Sequence, residues 1–475
     1  MVFFAKISFT TALFWPFIVL TAFYLIISYF IGIFGKPFNI HRHEVKKNYY
    51  FARWHQSNPL EGTVMAKPSI DVYLPSAGED LKILNNTFKH VRLLDWPEGR
   101  LHVYVLDDSH RRDVELLADR YEFHYIKRPN KGELKKAGNI RYAFPRTSGD
   151  FILILDADFA PRPDMIKEMI PYTLDPNCAI VQSPQFFTVD PENPWITNGA
   201  AYIQELFYRM IQVHRDHFKA AICVGTNALY RRQALEPFGG TYPIEFSEDM
   251  HTGWLLTTKN FYVKYIPVNL AKGLCPESMS AFFIQQTRWC QGSVGLFLSK
   301  KFWKEPLSPM TRLCYVSGMM YYIATATAVI LGPIPSLVVA WIYPSHVFWY
   351  NFLWALPSFL MSIVVMNYWS KAPWHFSVLS TRLVSYYAHI FALLTLLKGK
   401  TLEWIPSGNT ASTKRAKVYP QFKTAILLWS SLVFALGITG AARHMTGPLD
   451  LNFYPLIFFS TFNYLVAMLC LRHEA

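Results

Sequence analysis

Long apolar stretches at both ends of the chain, with a polar block between them, limit its fold more than any other feature. Residues 11–35 are almost uncharged and exceed the roughly 20 apolar residues needed to cross a bilayer. The stretch is too long for a signal peptide, and no clear cleavage site follows it. Apolar stretches return at 311–342, interrupted by Gly332-Pro333-Ile334-Pro335, and at 348–369, 422–442 and 452–471. Composition agrees, with 52% hydrophobic residues and 16% aromatic ones. The net charge of +13 would suit nucleic acid. It equally suits a membrane protein, whose cytoplasmic loops carry excess Lys and Arg, with an anionic substrate as a further contributor. The bilayer is the reading adopted here, with no nucleic-acid partner.

Lys36, Arg42, Lys46 and Lys47 follow the first stretch and place that side in the cytoplasm. His375–Leu397 is apolar but carries Arg382, His389 and several hydroxyls, and Lys398 follows it. It reads as an amphipathic helix at the membrane interface. Counting 311–342 as one kinked helix gives five spans. The N-terminus is then outside, and the polar block and the basic loop Lys398–Lys417 are cytoplasmic. Splitting the stretch at Pro333 to Pro335 would move that loop outside, against the positive-inside tendency. The six cysteines are scattered with no C-x-x-C pair, which argues against a zinc site or a disulfide framework and fits a reducing compartment.

Residues 69 to about 275 alternate short apolar strands with helical stretches, the pattern of an α/β domain with a mostly parallel sheet. Phe151-Ile152-Leu153-Ile154-Leu155 reads as a buried strand that stops on Asp156-Ala157-Asp158, with Pro161 and Pro163 beyond. Open α/β sheets bind ligands at the carboxyl ends of their strands. Two carboxylates there suit a hard divalent cation and a substrate phosphate, where an isolated D-x-D would more often be a plain turn. Leu101–Leu106 ends in Asp107-Asp108-Ser109, a hydrogen-bond acceptor for a base or ribose or else a helix N-cap. Ile70–Leu74 ends in Pro75-Ser76-Ala77-Gly78-Glu79. Lys135-Lys136-Ala137-Gly138-Asn139 offers positive charge beside a glycine, suited to phosphate or simply a solvated helix face. Ser247-Glu248-Asp249 could supply a general base, though such a triplet is more often a helix start. In Gln285-Gln286-Thr287-Arg288-Trp289 the arginine offers a planar fork for a diphosphate and the tryptophan a face for a sugar ring. An aromatic-belt pair is the bland alternative.

These motifs, in this order, resemble the processive family 2 glycosyltransferases of the GT-A fold, the group of cellulose, hyaluronan, chitin and curdlan synthases. The resemblance runs from about residue 69 to 420. Lys136-Ala137-Gly138-Asn139, Val181 to Phe187 and Cys223-Val224-Gly225-Thr226-Asn227 match as well, most like the catalytic subunit of cellulose synthases. It implies an α/β GT-A domain at 69–275 joined by a linker at 36–68 to the first span. Interface helices at 276–310, spans at 311–370, an interface helix and gating-type loop at 371–420 and spans at 421–475 would complete a multi-pass protein of the plasma (inner) membrane, with its catalytic domain cytoplasmic.

By the same resemblance, Ser76, Glu79, Asp107 and Asp108 contact the nucleoside of a UDP-sugar, and Lys136 and Asp156 the nucleotide. Asp158, with Asp156, holds Mg²⁺ or Mn²⁺ on the diphosphate. Asp249, beside Glu248, is the general base. Gln285 and Arg288 hold the diphosphate, Trp289 stacks on the acceptor sugar, and Cys223, Gly225 and Thr226 lie at the acceptor terminus. The implied reaction is an inverting displacement that polymerises a β-glucan from UDP-glucose and moves it across the membrane. Another polymer (curdlan, chitin, hyaluronan or a mannan) and a single-sugar transfer to lipid are the alternatives within the enzyme class. A channel subunit with an inactive domain is the alternative outside it. The F-x-V-T-x-K loop of the best-known cellulose synthases is absent, as is the W-G-T-R of hyaluronan and chitin synthases. Trp404 and Ser407, with Lys414 nearby, stand where a gating loop would. The chain ends with its last span, so control by a cyclic dinucleotide would need another subunit.

Overall fold

The computed structural model describes residues 14–56, 67–187, 189, 192–370, 375–399, 418–447 and 450–470. Its centre is a seven-stranded sheet of order β3-β2-β1-β4-β8-β6-β9. These are β1 (Ile70–Ser76), β2 (Leu101–Asp107), β3 (His124–Ile126), β4 (Phe151–Ile154), β6 (Cys178–Gln182), β8 (Ala228–Arg231) and β9 (Tyr262–Tyr265). β1 pairs in parallel with β2 and β4, β2 with β3, and β6 with β9. β8 alone runs antiparallel, between β4 and β6. The mostly parallel α/β domain expected from strand patterning is therefore present. A small second sheet joins β5 (Ala160–Pro161), β7 (Phe186–Phe187) and β10 (Ala271–Gly273) in the order β5-β10-β7.

The continuous apolar runs are explained by burial on both faces. Every residue of β1, β4 and β6 is buried. One polar intruder, Asp71 on β1, is neutralised by Arg232 at 2.8 Å and by the Gly149 amide at 2.7 Å. Removing one partner of such a pair would strand the other. Register sets Ser76 beside Asp107, and Ile154 beside Tyr73. Ser76, Asp107 and the Asp156 to Asp158 turn therefore emerge at one edge, the carboxyl end of the parallel strands.

The helices that matter for the site, in chain order, are α1 (Trp15–Phe34), α2 (Ile40–Gln56), α3 (Leu81–Val91), α4 (Lys135–Ala143), α5 (Trp195–Leu206) and α6 (Gln212–His217). They continue with α7 (Glu248–Thr257), α8 (Met279–Leu298), α9 (Pro309–Leu331), α10 (Ile334–Ile342), α11 (Ser377–Leu397), α12 (Val418–His444) and α13 (Tyr454–Leu469). A π-helical turn, Phe207–Ile211, joins α5 to α6. Among the described residues, three helices are long and apolar enough to cross a membrane: Trp15–Phe34, Pro309–Ile342 and Gln421–His444. α9 and α10 form the second of these, bent at Gly332-Pro333, as a single kinked helix. The Gly332 amide still reaches the Ala328 carbonyl at 2.8 Å, so the helix bends without breaking.

Two expected spans come out shorter. The 348–369 stretch opens with 3₁₀ turns over Trp349–Ala355 and is apolar helix only over Leu356–Trp369. The last apolar helix is Tyr454–Leu469. The expected interface helix also differs from a simple surface helix. α11 packs against α5, α8, α9 and α13, and its Ser380, Thr381, Ser385 and His389 are buried. Gly199 of α5 lies against Thr381, where a Cβ would collide with the hydroxyl. The polar residues that suggested a water-facing side are thus turned into the bundle. All six cysteines are buried thiols.

α2 is tied to the domain by a buried polar knot. His43 contacts Glu168 at 2.5 Å and the Tyr172 hydroxyl at 2.7 Å, and Lys47 donates to Glu168 at 2.8 Å. Burial alone would raise the Glu168 pKa, but His43 and Lys47 outweigh it and hold it down to about 2. A carboxyl depressed below its unfolded value stabilises the fold at pH above that value and loses this as pH falls through the folded one. Glu168→Gln should therefore cost on the order of 1 kcal/mol at pH 7 once solvent screening is allowed for. Thermal unfolding of the two proteins, measured between pH 7 and 3, should show the gap narrowing as the pH drops below about 4.5.

Candidate active site

The carboxyl edge of the sheet opens into a cleft of about 1330 Å³. Strand ends form one wall, through Ser76, Glu79, Asp108, Asp156 and Asp158. α4 contributes Lys136 and Asn139, the start of α7 contributes Glu248 and Asp249, and α8 closes the far side with Gln285, Arg288 and Trp289. Eleven of the expected site residues, spread over more than two hundred positions, thus line one cavity. Trp404 and Ser407 lie outside the described residues.

Charge crowding governs the electrostatics. Lys136 forms an ion pair with Asp156, donates to the Gly225 carbonyl at 2.8 Å and lies 3.9 Å from Glu248. Burial would lower its pKa, but Asp156 and Glu248 more than compensate and raise it. Asp158 is pushed up to about 7 by burial and by the nearby Asp156 and Glu79 carboxylates. Asp249 is likewise raised to about 7, by burial and by Glu248. Burial and Asp156 raise Glu248 too, although Lys136 opposes them. Arg288 is drawn down to about 10 by burial, against the pull of Glu248, Asp156 and Asp249. Buried acidic groups crowded in this way favour a site that receives added positive charge. Asp156 and Asp158, oxygen donors at the end of one strand, fit Mg²⁺ or Mn²⁺.

On α8, the Gln285 Oε1 and Arg288 Nε atoms are buried with no hydrogen-bond partner among the described residues. A guanidinium with an unspent donor, facing a cleft, suits an oxyanion ligand. Trp289 presents its ring in the same wall. Ser247 occupies the N-cap of α7 at positive φ but makes no capping bond, and Gly292 of α8 packs on it so closely that a Cβ would clash with its side chain. That close approach brings the Asp249 turn and α8 together.

Asp107 does not face the cleft. It is fully buried and accepts from Ser76, Ser109 Oγ, the Ser109 and Arg111 amides and Tyr125. Its oxygens are engaged in shaping the loop. Asp108 does reach the cleft, but Arg128 grips it through Nε at 2.7 Å and Nη2 at 2.8 Å. The same Arg128 donates to the Glu133 and Lys135 carbonyls and thereby fixes the turn that presents Lys136.

The Cys223–Thr226 loop is not on the cleft wall except at Val224. It is positioned by Gln182, whose Nε2 donates to the Thr226 carbonyl at 2.8 Å and whose Oε1 accepts from the Val224 amide at 3.1 Å. Thr226 in turn accepts from the Asp156 amide at 2.8 Å. Burial pushes the Cys223 thiol up to about 12, which keeps it from acting as a nucleophile. Sequence reasoning gave no role to Arg128, Gln182 or Gln185. Gln185 lines the cleft and also a second cavity of about 1380 Å³. That cavity is lined as well by Gln204, both of whose side-chain amide atoms are buried and unpartnered among the described residues.

Residues 71–239 match the family model described as glycosyl transferase family 2. The chain is 32% identical over 269 residues to the cellulose synthase catalytic subunit [UDP-forming] of Xanthomonas axonopodis pv. citri (strain 306), covering 56% of this chain and 37% of that protein. It is 33% identical over 266 residues to cellulose synthase 1 catalytic subunit [UDP-forming] of Komagataeibacter xylinus, covering 55% and 36%. The chain thus spans little more than a third of the length of these relatives. In fold, a mannosyltransferase from Pyrobaculum calidifontis, solved in complex with GDP-Man and Mn²⁺, superposes with a TM-score of 0.53 at 16% identity, over 80% of this chain and 100% of that one. The domain is GT-A-like.

Gly225 gives a direct test of this geometry. Its φ is +78°, and a Cβ there would lie 2.6 Å from Asp249 Oδ2. Gly225→Ala should displace the loop or Asp249, and, if Asp249 acts as the expected base, lower kcat by at least about tenfold. UDP affinity, measured by calorimetry, should fall by less than kcat does, because the loop also holds Lys136 through the Gly225 carbonyl while Gln285 and Arg288 on α8 are untouched.

Proposed function

With a family 2 glycosyltransferase domain at residues 71–239, we propose that the chain is a processive, inverting, membrane-embedded synthase of a β-glycan. The leading product is a β-glucan made from UDP-glucose. The observation that carries this reading is the convergence of Asp156, Asp158, Asp249, Arg288 and Trp289 on one cleft, with α8, which bears the last two, packed along α11.

In this reading the acceptor hydroxyl attacks the anomeric carbon of the donor. A bond forms between that oxygen and the carbon, the bond to the diphosphate breaks, and UDP leaves. Asp249 takes the hydroxyl proton. Its raised pKa matches general-base work near neutral pH. Arg288 and Gln285 bind the departing diphosphate with the polar atoms that now lack partners, a preorganised form of charge stabilisation. Lys136 keeps Asp156 in place, and Trp289 carries the acceptor ring. Mg²⁺ or Mn²⁺ on Asp156 and Asp158 would neutralise the diphosphate.

Processive transfer and export are supported by the polar lining of the bundle. Tyr24 of α1 approaches Tyr321 of α9 with ring centroids 6.4 Å apart, Tyr321 approaches Tyr322 at 5.3 Å, and Tyr322 approaches His389 of α11 at 4.9 Å. His389 Nδ1 contacts the Thr325 hydroxyl at 2.8 Å, while its Nε2 is buried without a partner among the described residues. Polar groups inside a membrane bundle usually mark a substrate path. A hydrophilic chain leaving Trp289 would need such a lining, and the relatives named above are cellulose synthases. Accessory subunits remain compatible with this reading.

The test is UDP release from nanodisc-held protein offered UDP-glucose, UDP-N-acetylglucosamine, UDP-glucuronate or GDP-mannose with Mg²⁺ or Mn²⁺. A cellulase-sensitive polymer from UDP-glucose is expected. A polymer that resists cellulase but yields to a β-1,3-glucanase would move the product to a curdlan type, and transfer of single sugars to lipid would overturn processivity. Asp249→Asn should lower kcat by about a thousandfold while donor binding persists. Wild-type turnover should fall as pH drops through about 7, where Asp249 takes up its proton.

A further inference from the structure

The second cavity, of about 1380 Å³, has no part in the proposed chemistry. Ala201, Gln204, Glu205, Tyr208 and Arg209 recur at helical spacing and line it from α5 and the π-helical turn that follows. Phe186 and Phe187 of β7 and Tyr265 of β9 line it from the sheets. Asn269 and Lys272 belong to the lining as well and are exposed, so the cavity reaches solvent on that side.

Gln204 is 6% exposed, and both ends of its side-chain amide are without a partner among the described residues. Its polar neighbours are satisfied. The Tyr208 hydroxyl donates to Gln185 Oε1 at 2.9 Å, Gln185 Nε2 donates to the Val224 carbonyl at 3.2 Å, and the Tyr265 hydroxyl donates to the Tyr208 carbonyl at 2.8 Å. A buried amide with a free donor and a free acceptor is costly unless something meets it. Because this amide belongs to the lining of a cavity, a ligand held there can do so.

The lining also sets the chemistry of that ligand. Arg209 pairs with Glu205 at 2.9 Å and donates to the Trp369 carbonyl at 2.9 Å. Lys272 is then the one unpaired charge in the lining among the described residues, too little for a diphosphate. A donor and an acceptor side by side suit hydroxyl groups, which are themselves both. The rings of Phe186, Phe187 and Tyr208 offer apolar faces for a sugar ring. Gln185 and Phe187 line the main cleft too, so a ligand here would lie one layer of side chains from that cleft.

We propose that the cavity is a second saccharide site, holding one or two neutral sugar rings on Gln204 beside the main cleft. This goes beyond the synthase reading and rests on the lining of the cavity alone.

The experiment titrates the full chain in nanodiscs with cellobiose by ligand-observed NMR. UDP and Mn²⁺ are present to fill the donor side of the cleft, and Trp289→Ala is run alongside to remove the acceptor position proposed there. Cellobiose should bind with a Kd in about the millimolar range. Binding should persist in Trp289→Ala and weaken at least about tenfold in Gln204→Leu, which keeps the size of the side chain and removes both amide atoms. Gln204→Leu should melt no lower than wild type, because it breaks no hydrogen bond. Hydrogen exchange of wild type should show cellobiose protecting Trp195–Leu206 and Ala271–Gly273, a test that needs no variant. Tighter capture of a nanodisc lipid bearing the same disaccharide would support the site and place its sugar in the membrane. Absence of cellobiose binding, equal binding by Gln204→Leu, or loss of binding in Trp289→Ala would overturn the proposal. So would binding of inorganic phosphate at the cavity in place of cellobiose.

Discussion

Lys136 reaches from α4 to the end of β4 and holds Asp156, with the Gly225 carbonyl and Glu248 within its range. Four acidic side chains, Asp156, Asp158, Glu248 and Asp249, crowd this one ammonium, and Lys135 and Arg288 supply the other positive charge on the cleft wall among the described residues. Such a site is short of positive charge as it stands. Burial and mutual repulsion leave Asp158 and Asp249 near neutrality. A nucleoside diphosphate arriving with a divalent cation would bring both the missing positive charge and the oxyanions for the unspent donors of Arg288. In the proposed reading the cleft suits the pair together.

The surrounding structure is explained by the need to hold that arrangement. Parallel strands deliver the Ser76, Asp107 and Asp156 loops to one edge by register. Arg128 and Asp107 are spent inside the loops, where their hydrogen bonds fix what the exposed residues present. Gln182 does the same for the Cys223–Thr226 loop, and Gly225 and Gly292 permit two close approaches that any side chain would prevent. α8 then serves two ends. Its cleft face carries Gln285, Arg288 and Trp289, and its other face packs along α11 within the bundle. A change in the bundle can therefore be felt at the diphosphate side of the cleft through one helix.

Much of this was legible in the residues themselves. The run Phe151 to Leu155, followed by two aspartates, gave both a buried strand and a ligand at its end. Strict apolar runs located α1, the kinked α9–α10 and α12. Motifs that carry charge at strand ends and on α8 proved to share one cavity. What escaped was long-range pairing. Nothing local tells that Asp107 turns inward to accept Tyr125, or that Arg128 is the partner of Asp108, because those bonds depend on the fold. The hydroxyls of α11 suggested a wet face, yet they pack inward, since a helix among helices can use small polar residues for close contact. In 348–369 the apolar run was plain, but hydrophobicity does not separate a 3₁₀ entry from a regular helix turn.

The most direct test of the central claim is calorimetric titration of the nanodisc-held protein with UDP, with and without Mn²⁺, for wild type and Asp158→Asn. The account predicts that Mn²⁺ strengthens UDP binding to wild type by at least about tenfold and that Asp158→Asn abolishes this gain. UDP that binds equally well without the metal, or a metal effect that survives Asp158→Asn, would contradict it.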